Sequence, residues 1–208
     1  MPIVNPQPAN VTGLVLAGGR GIRMGKVDKG LQVFGDQTMV EAVLRRFEPQ
    51  VATLMINANQ NIATYAGFGH PVWPDELTGF AGPLAGLQVG LTHCVTPWLV
   101  MVPCDSPFLP LDLVQGLHVA QQQNDFDIAV AVTGRREQRQ VHPVFCLVRV
   151  SLLPYLDAYL ANGGRKVREW YSSLRVVEVP FENGEAFRNI NTPDELRLST
   201  PREIGNQT

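Results

Sequence analysis

The chain has 208 residues, of which 45% are hydrophobic and 17% charged, with a formal net charge of −2. That length suits one α/β domain with a sizeable core, or at most two small ones. The charge balance excludes a global basic field for nucleic acid, so any anion site must be local, and no apolar run approaches the roughly 18 to 20 residues of a membrane span.

The opening stretch, MPIVNPQPAN, has three prolines and no basic region followed by an apolar core. It reads as a loose leader over residues 1–10, not a secretory signal. Cys94, Cys104 and Cys146 are odd in number and lack C-x-x-C spacing. They read as reduced thiols of a cytoplasmic protein, packed as small hydrophobes.

Val11, Leu14, Val15, Leu16 and Ala17 form a short apolar run suited to a strand buried on both faces. The run breaks into Gly18, Gly19, Gly21 and Gly25, interleaved with Arg20, Arg23, Lys26 and Lys29. Glycines let backbone N–H groups approach an anion closely, and four cations across ten residues favour a polyphosphate. The stretch fits neither common nucleotide fingerprint. Gly25 falls one residue late for G-x-G-x-x-G. For a P-loop, Arg20 stands where a glycine is needed and Val27 where a Ser or Thr is needed. A solvated basic loop with glycine turns is the alternative reading.

Thr38 to Glu48 reads as a helix, with Val40, Val43, Leu44 and Phe47 on one face and Pro49 at its end. Ala52 to Asn57 is a second strand, and Pro71 to Pro74 a short third one leading to Asp75. Pro83, in Gly82-Pro83-Leu84-Ala85-Gly86, suits the first turn of a further helix. Trp98 to Val102 is a buried strand ending at Pro103-Cys104-Asp105. Leu113, Val114 and Leu117 mark the next helix, and Asp127 to Val132 the next strand. This alternation predicts an α/β fold with a mostly parallel sheet, in which ligands bind outside the C-terminal strand ends. Gly18-Gly19, Asn57, Asp75 and Asp105 each follow a predicted strand.

The second part is less regular. A polar connector, Arg135 to Gln140, precedes Val141 to Val148. Ser151 is the expected cap of a helix carrying Leu153, Leu156 and Leu160, which Gly163-Gly164 breaks. Arg165 to Tyr171 reads as a short helix and Val176 to Val179 as a strand. Thr192-Pro193-Asp194-Glu195 is a helix start, with Thr at the N-cap and Glu at N3. The tail, residues 199–208, is polar and expected to fray.

Leu16-Ala17-Gly18-Gly19, Arg23-Met24-Gly25 and Asp28-Lys29 together resemble the signature loop of nucleotidyltransferases, most closely the molybdenum cofactor guanylyltransferases. Pro103-Cys104-Asp105-Ser106-Pro107 resembles that family's Pro-Cys-Asp-Thr-Pro motif. Gly82-Pro83-Leu84-Ala85-Gly86 and Asn189-Ile190-Asn191-Thr192-Pro193-Asp194 resemble two more. The likeness covers roughly Val11 to Leu196. It implies a Rossmann-like three-layer sandwich of the nucleotidyltransferase, glycosyltransferase A-like type. Residues 11–198 would form one domain, with 11–133 binding nucleotide and 134–198 the acceptor.

The resemblance implies transfer of GMP from GTP to the terminal phosphate of molybdopterin. GTP would be held by Leu16, Ala17, Gly18, Gly19, Lys29, Asn57, Asp75 and Asp105. Asp105, Lys29 and Arg23 would act in catalysis, with Mg²⁺ on Asp105 and Asn191 as a second candidate ligand. Arg135, Arg136, His142 and Arg165 are candidates for the pterin-bearing substrate, and His70, His93 and His118 carry no expected role. Gly18, where related cytidylyltransferases tend to have alanine, is read as making room for a purine. Other cofactor-biosynthesis proteins or acceptor molybdoenzymes are the implied partners, with no nucleic acid and no membrane. A cytidylyl- or sugar-nucleotidyltransferase, and a non-catalytic GTP-binding delivery module, are the competing readings.

Overall fold

The computed structural model describes residues 10–19, 28–77, 82–123 and 125–199. Arg20, Arg23 and Lys26, the Gly79-Phe80-Ala81 stretch, the leader up to residue 9 and the tail from residue 200 lie outside the described residues.

In chain order the strands are β1 (Val11–Leu16), β2 (Val33–Phe34), β3 (Gln37–Thr38), β4 (Thr53–Asn57), β5 (Val72–Trp73), β6 (Trp98–Pro103), β7 (Ile128–Thr133), β8 (Gln140–Arg149) and β9 (Val176–Phe181). The helices are α1 (Met39–Phe47), α2 (Ile62–Ala66), α3 (Pro83–His93), α4 (Leu113–Gln123), α5 (Leu153–Ala161), α6 (Val167–Tyr171) and α7 (Pro193–Ser199). β2 and β3 pair with each other, and the other seven strands form one sheet in the order β5-β4-β1-β6-β8-β7-β9. β8 pairs antiparallel with both neighbours, and the remaining adjacent pairs are parallel.

The sheet is buried on both faces because its central strands are apolar at odd and even positions alike. Val11 and Val15 of β1, Val100 and Val102 of β6, and Ala129 and Ala131 of β7 pack in one core with Val40, Val43 and Phe47 of α1 and Leu113 and Leu117 of α4. Their strand neighbours Leu14, Leu99, Met101, Ile128 and Val130 turn to the other core, against Leu84, Leu87 and Leu91 of α3, Leu156 of α5 and Trp170 of α6. This period-two division makes the three layers. α1 is held at its start by a capping box between Thr38 and Glu41, a device contributing about 1 kcal/mol.

From β1 the chain steps outward through β4 to β5, then returns to β6 on the other side of β1. The C-terminal ends of β1 and β6 therefore meet where the strand order reverses, the place at which open α/β sheets bind ligands.

Three features differ from expectation. The β2–β3 pair and α2 are too short to show periodicity in sequence. Ser151 does not cap α5: it lies in a 3-10 turn, Val150–Leu152, and Leu152 precedes the helix with no side-chain cap bond. β8 is a long central strand despite Pro143, a residue that argues against one. Its pairing with β7 jumps from Val130↔Cys146 to Ala131↔His142, so residues 143–145 sit in a bulge where the ladder needs no N–H from Pro143.

Candidate active site

A cleft of about 480 Å³ opens over the ends of β1 and β6. Leu16, Ala17, Gly18, Gly19, Lys29, Asn57, Asp75, Asp105 and Asn191 all line it, together with Asp28, Pro83, Val144 and Asn189. Arg23 lies outside the described residues. Arg135, Arg136, His142 and Arg165 do not line the cleft. His142 is buried, with Nε2 2.8 Å from Thr133 Oγ1 and its ring stacked on Phe187, so it is a core group. Arg165 donates to the carbonyls of Leu160 and Gly164, closing the end of α5.

The floor of the cleft is polar because β1 and β6 end there. Ala17 N–H donates to Asn57 O at 2.7 Å and Cys104 N–H to Leu16 O at 3.0 Å, so the three strand ends stay in register up to the last apolar residue. Asp105 follows directly. Its Oδ2 accepts from Lys29 Nζ at 3.2 Å, and the same ammonium donates to Asn191 Oδ1 at 2.7 Å. Burial pushes the Asp105 carboxyl above the ordinary carboxylate range, and Lys29 opposes that shift. Asp105 Oδ1 is buried with no hydrogen-bond partner among the described residues.

The segment carrying Asn189 and Asn191 is laid on the Asp105 turn by Ile190 N–H donating to Asp105 O at 2.8 Å and Ser106 Oγ donating to Asn189 Oδ1 at 2.7 Å. Thr192 caps α7 by accepting from Glu195 N–H at 3.2 Å, while the Glu195 carboxylate accepts from Asn191 N–H at 2.6 Å. Capping of α7 thus also fixes the backbone that presents Asn191.

Asp28 is spoken for by protein groups. Tyr65 Oη donates to one carboxylate oxygen at 2.6 Å and Asn61 Nδ2 to the other at 3.0 Å. Asn61 has φ of 52°, a left-handed conformation that asparagine tolerates. These bonds anchor the residue immediately before Lys29. Cys104, beside Asp105, has its thiol pushed well above its ordinary range by burial, so it offers no thiolate nucleophile.

At the other side of the cleft, Asn57 Nδ2 donates to Trp73 O at 3.1 Å and to Asp75 Oδ1 at 2.9 Å. Asn59, which no sequence signal distinguished from an ordinary turn residue, bonds to both the backbone and the side chain of Asp75. At Gly18 the missing Cβ bears on protein groups. A Cβ there would meet the Asn59 amide nitrogen at 2.7 Å and Asn57 Oδ1 at 3.1 Å, so it would press on protein. A Cβ at Gly19 would meet nothing within 4 Å.

Val144, in the bulge of β8, also lines the cleft, as does Pro103. Among the described residues, no group of three or more His, Cys, Asp or Glu side chains gathers as a metal cage. Among the described residues the cleft is lined by the carboxylates of Asp28, Asp75 and Asp105, the last with an unpartnered Oδ1, by the Lys29 ammonium and by the carboxamides of Asn57, Asn189 and Asn191.

Comparison with known proteins shows the family. The profile of the MobA-like NTP transferase domain matches residues 13–177. A molybdenum cofactor guanylyltransferase of Cupriavidus necator is 53% identical over 194 residues, covering 93% of this chain and 98% of that one. One from Bordetella petrii is 51% identical over 188 residues, covering 90% and 96%. Among solved structures, the molybdopterin-guanine dinucleotide biosynthesis protein A of Archaeoglobus fulgidus superposes with a TM-score of 0.75 at 22% identity, covering 91% of this chain and 96% of that one. The 2-C-methyl-D-erythritol 4-phosphate cytidylyltransferase of Thermus thermophilus gives 0.68 at 17% identity, covering 90% and 96%; at these identities the two structures speak for the fold alone. With its profile match running through most of the chain and relatives at half identity over nearly all of it, this chain belongs to the MobA-like NTP transferase family.

Proposed function

We propose that the protein transfers GMP from GTP to the terminal phosphate of molybdopterin, forming the guanine dinucleotide and releasing pyrophosphate. The observation that carries this reading is the convergence of Lys29, Asp105 and Asn191 on the floor of the strand-end cleft, in a chain whose half-identical relatives are named molybdenum cofactor guanylyltransferases.

In the reaction an acceptor phosphate oxygen attacks the α-phosphorus of GTP. The bond from that phosphorus to the bridging oxygen breaks, and pyrophosphate leaves with the electron pair. A phosphomonoester has its second pKa near ~6, so the acceptor is already largely dianionic at neutral pH and no strong protein base is needed. Positioning and charge neutralisation are what the protein has to supply. Lys29, held by Asp105 and Asn191, neutralises charge gathering on the β- and γ-phosphates, and Arg23 is the second cation assigned to that task. Asp75 and Asn57 orient the nucleoside, and Pro83 and Gly82 lie beside it. The acceptor enters from the side of residues 134–198, which contribute Val144, Asn189 and Asn191 to the cleft.

The residues present fit a magnesium ion. Mg²⁺ is commonly held by one or two carboxylates, completing its shell with waters and substrate phosphates; the unpartnered Oδ1 of Asp105 is such an oxygen. Bound there, with Asn191 as a further ligand, it would supply Lewis-acid polarisation of the reacting phosphates. Three free cysteines support a reducing compartment, the cytoplasm.

Pyrophosphate release with GTP, Mg²⁺ and molybdopterin, each omitted in turn, tests the reading. Release should require all three and should fail with CTP in place of GTP. Asp105→Asn should lose about 10²–10³-fold in turnover, the scale seen when one electrostatic contact to a transition state is removed. Undiminished turnover in that variant, or equal use of CTP, would reject the proposal.

A further inference from the structure

The Asn59 carboxamide is fully engaged although Asn59 does not line the cleft. Its Oδ1 accepts from the backbone N–H of Asp75 at 2.7 Å. Its Nδ2 donates to Asp75 Oδ2 at 2.8 Å and, at 3.4 Å, to the carbonyl of Gly18. One side chain from the end of β4 thus grips residue 75 at two points and reaches the end of β1. Asn57 supplies the complementary bond, from Nδ2 to Asp75 Oδ1 at 2.9 Å. Each Asp75 carboxylate oxygen therefore receives one amide N–H, and the carboxylate plane is fixed.

An ionised carboxylate has about four lone-pair sites on its two oxygens. With one site on each oxygen taken, each of the two oxygens keeps a second acceptor site, on a residue that lines the cleft. Two adjacent acceptors match two adjacent donors. Guanine presents that pair, N1–H beside the 2-amino group. On the same edge, cytosine and adenine place a donor next to an acceptor, and uracil sets its N–H between two carbonyls. A carboxylate free to rotate would still attract a single donor but would lose this match.

We infer that Asn59 is a positioning residue for guanine selection: it fixes the plane of the Asp75 carboxylate so that both oxygens face the base. The inference deepens the guanylyl-transfer reading and rests on it. Gly18 belongs to the same device. A Cβ at 18 would lie 2.7 Å from Asn59 Nδ2, so any side chain there pushes on the clamp from the side of β1.

Calorimetric titration of GTP and ITP in the presence of Mg²⁺ tests it, because ITP lacks the 2-amino group alone. The unaltered protein should bind GTP roughly tenfold or more tightly than ITP, the value of one charged hydrogen bond. Asn59→Ala should bind GTP about tenfold more weakly and ITP nearly as before, so the GTP-to-ITP ratio collapses. In turnover the loss should fall on KM with kcat little changed. A simple loss of stability would lower binding of both nucleotides alike. A folded Asn59→Ala protein that keeps the full ratio would overturn the inference. A wild-type protein that does not prefer GTP over CTP would instead overturn the functional reading, so the two failures are distinct.

Gly18→Ala reaches the clamp without removing Asn59 and serves where Asn59→Ala fails to fold. It should reduce the same ratio, and its effect should be smaller in the Asn59→Ala background, where the closer of its two contacts is gone and only Asn57 Oδ1 at 3.1 Å remains. A Gly18→Ala protein with an unreduced ratio would overturn the inference as well.

Discussion

Gly86 and Gly90 stand about one turn apart in α3 and are both buried, and alanine at each separates support of the site from support of the core. A Cβ at 86 would lie 2.4 Å from Asn57 Oδ1 and 2.6 Å from Leu16 Cδ2. At 90 it would lie 2.5 Å from Leu14 Cδ2 and 3.0 Å from Leu99 Cδ1. Neighbours must move in both cases. Overpacking a filled core costs about 1–3 kcal/mol, and alanine recovers about 1 kcal/mol of helix propensity over glycine. Each variant should therefore be destabilised by up to about 2 kcal/mol net. For a chain of this size, each kcal/mol is about 2–4 °C in Tm. The two differ in what yields. At 90 the yielding groups are the ends of two leucine side chains. At 86 it is the Asn57 carboxamide, pinned by its bonds to Trp73 O and Asp75 Oδ1. Displacing it costs one hydrogen bond to a charged group, at least about 1.5 kcal/mol, or roughly tenfold in GTP affinity. Thermal unfolding and calorimetric titration with GTP measure the two effects separately. Gly86→Ala should lose both stability and affinity, and Gly90→Ala stability alone. Equal affinity losses in the two variants, or Gly86→Ala binding GTP like the wild type, would refute the reasoning.

Two further predictions concern protons. Burial holds the pKa of His142 below the ordinary histidine value, and His118 is shifted the same way for the same reason. An unfolded histidine protonates near pH ~6.5, so this contribution to stability is complete above that pH and is lost as pH falls through the lower folded value. Urea unfolding from about pH 7.5 down to about pH 5 should show the loss, and His142→Gln should flatten it; an unchanged slope in the variant would contradict the assignment. Burial also pushes the Cys146 thiol up to about 12 and holds Cys104 well above its ordinary range. Ellman's reagent should therefore label at most Cys94 in the folded protein and all three cysteines in denaturant, and fast native labelling of Cys104 would count against the packing around it.

What could be read in the sequence follows from how a parallel sheet is made. A strand buried on both faces is a continuous apolar run, and the first polar residue after it lies at the C-terminal edge. Gly18, Asn57, Asp75 and Asp105 could be placed at one edge for that reason, and all four line the cleft. Residues whose roles are set by a side chain arriving from another strand left no such mark. Asn59 looks like a turn residue until β5 lies beside β4 and brings the Asp75 N–H to it. Asp28 reads as a companion of Lys29 until Tyr65 is seen to take its carboxylate. Pro143 hides β8 because the register jump that tolerates it exists only once β7 is paired. That a Cβ at Gly18 would strike the amides of Asn57 and Asn59 shows only once those side chains are in place. The same distinction bears on the chemistry. Lys29 and Asp105 meet across a separation of 76 residues, and each side of the cleft is aligned by carboxamides: Asn191 on Lys29, Asn57 and Asn59 on Asp75. Carboxamides orient charged groups without adding charge. That suits the proposed site, which would receive two polyanionic substrates, and it makes Asn57 and Asn59, which hold Asp75, the residues whose loss should change which nucleotide is used.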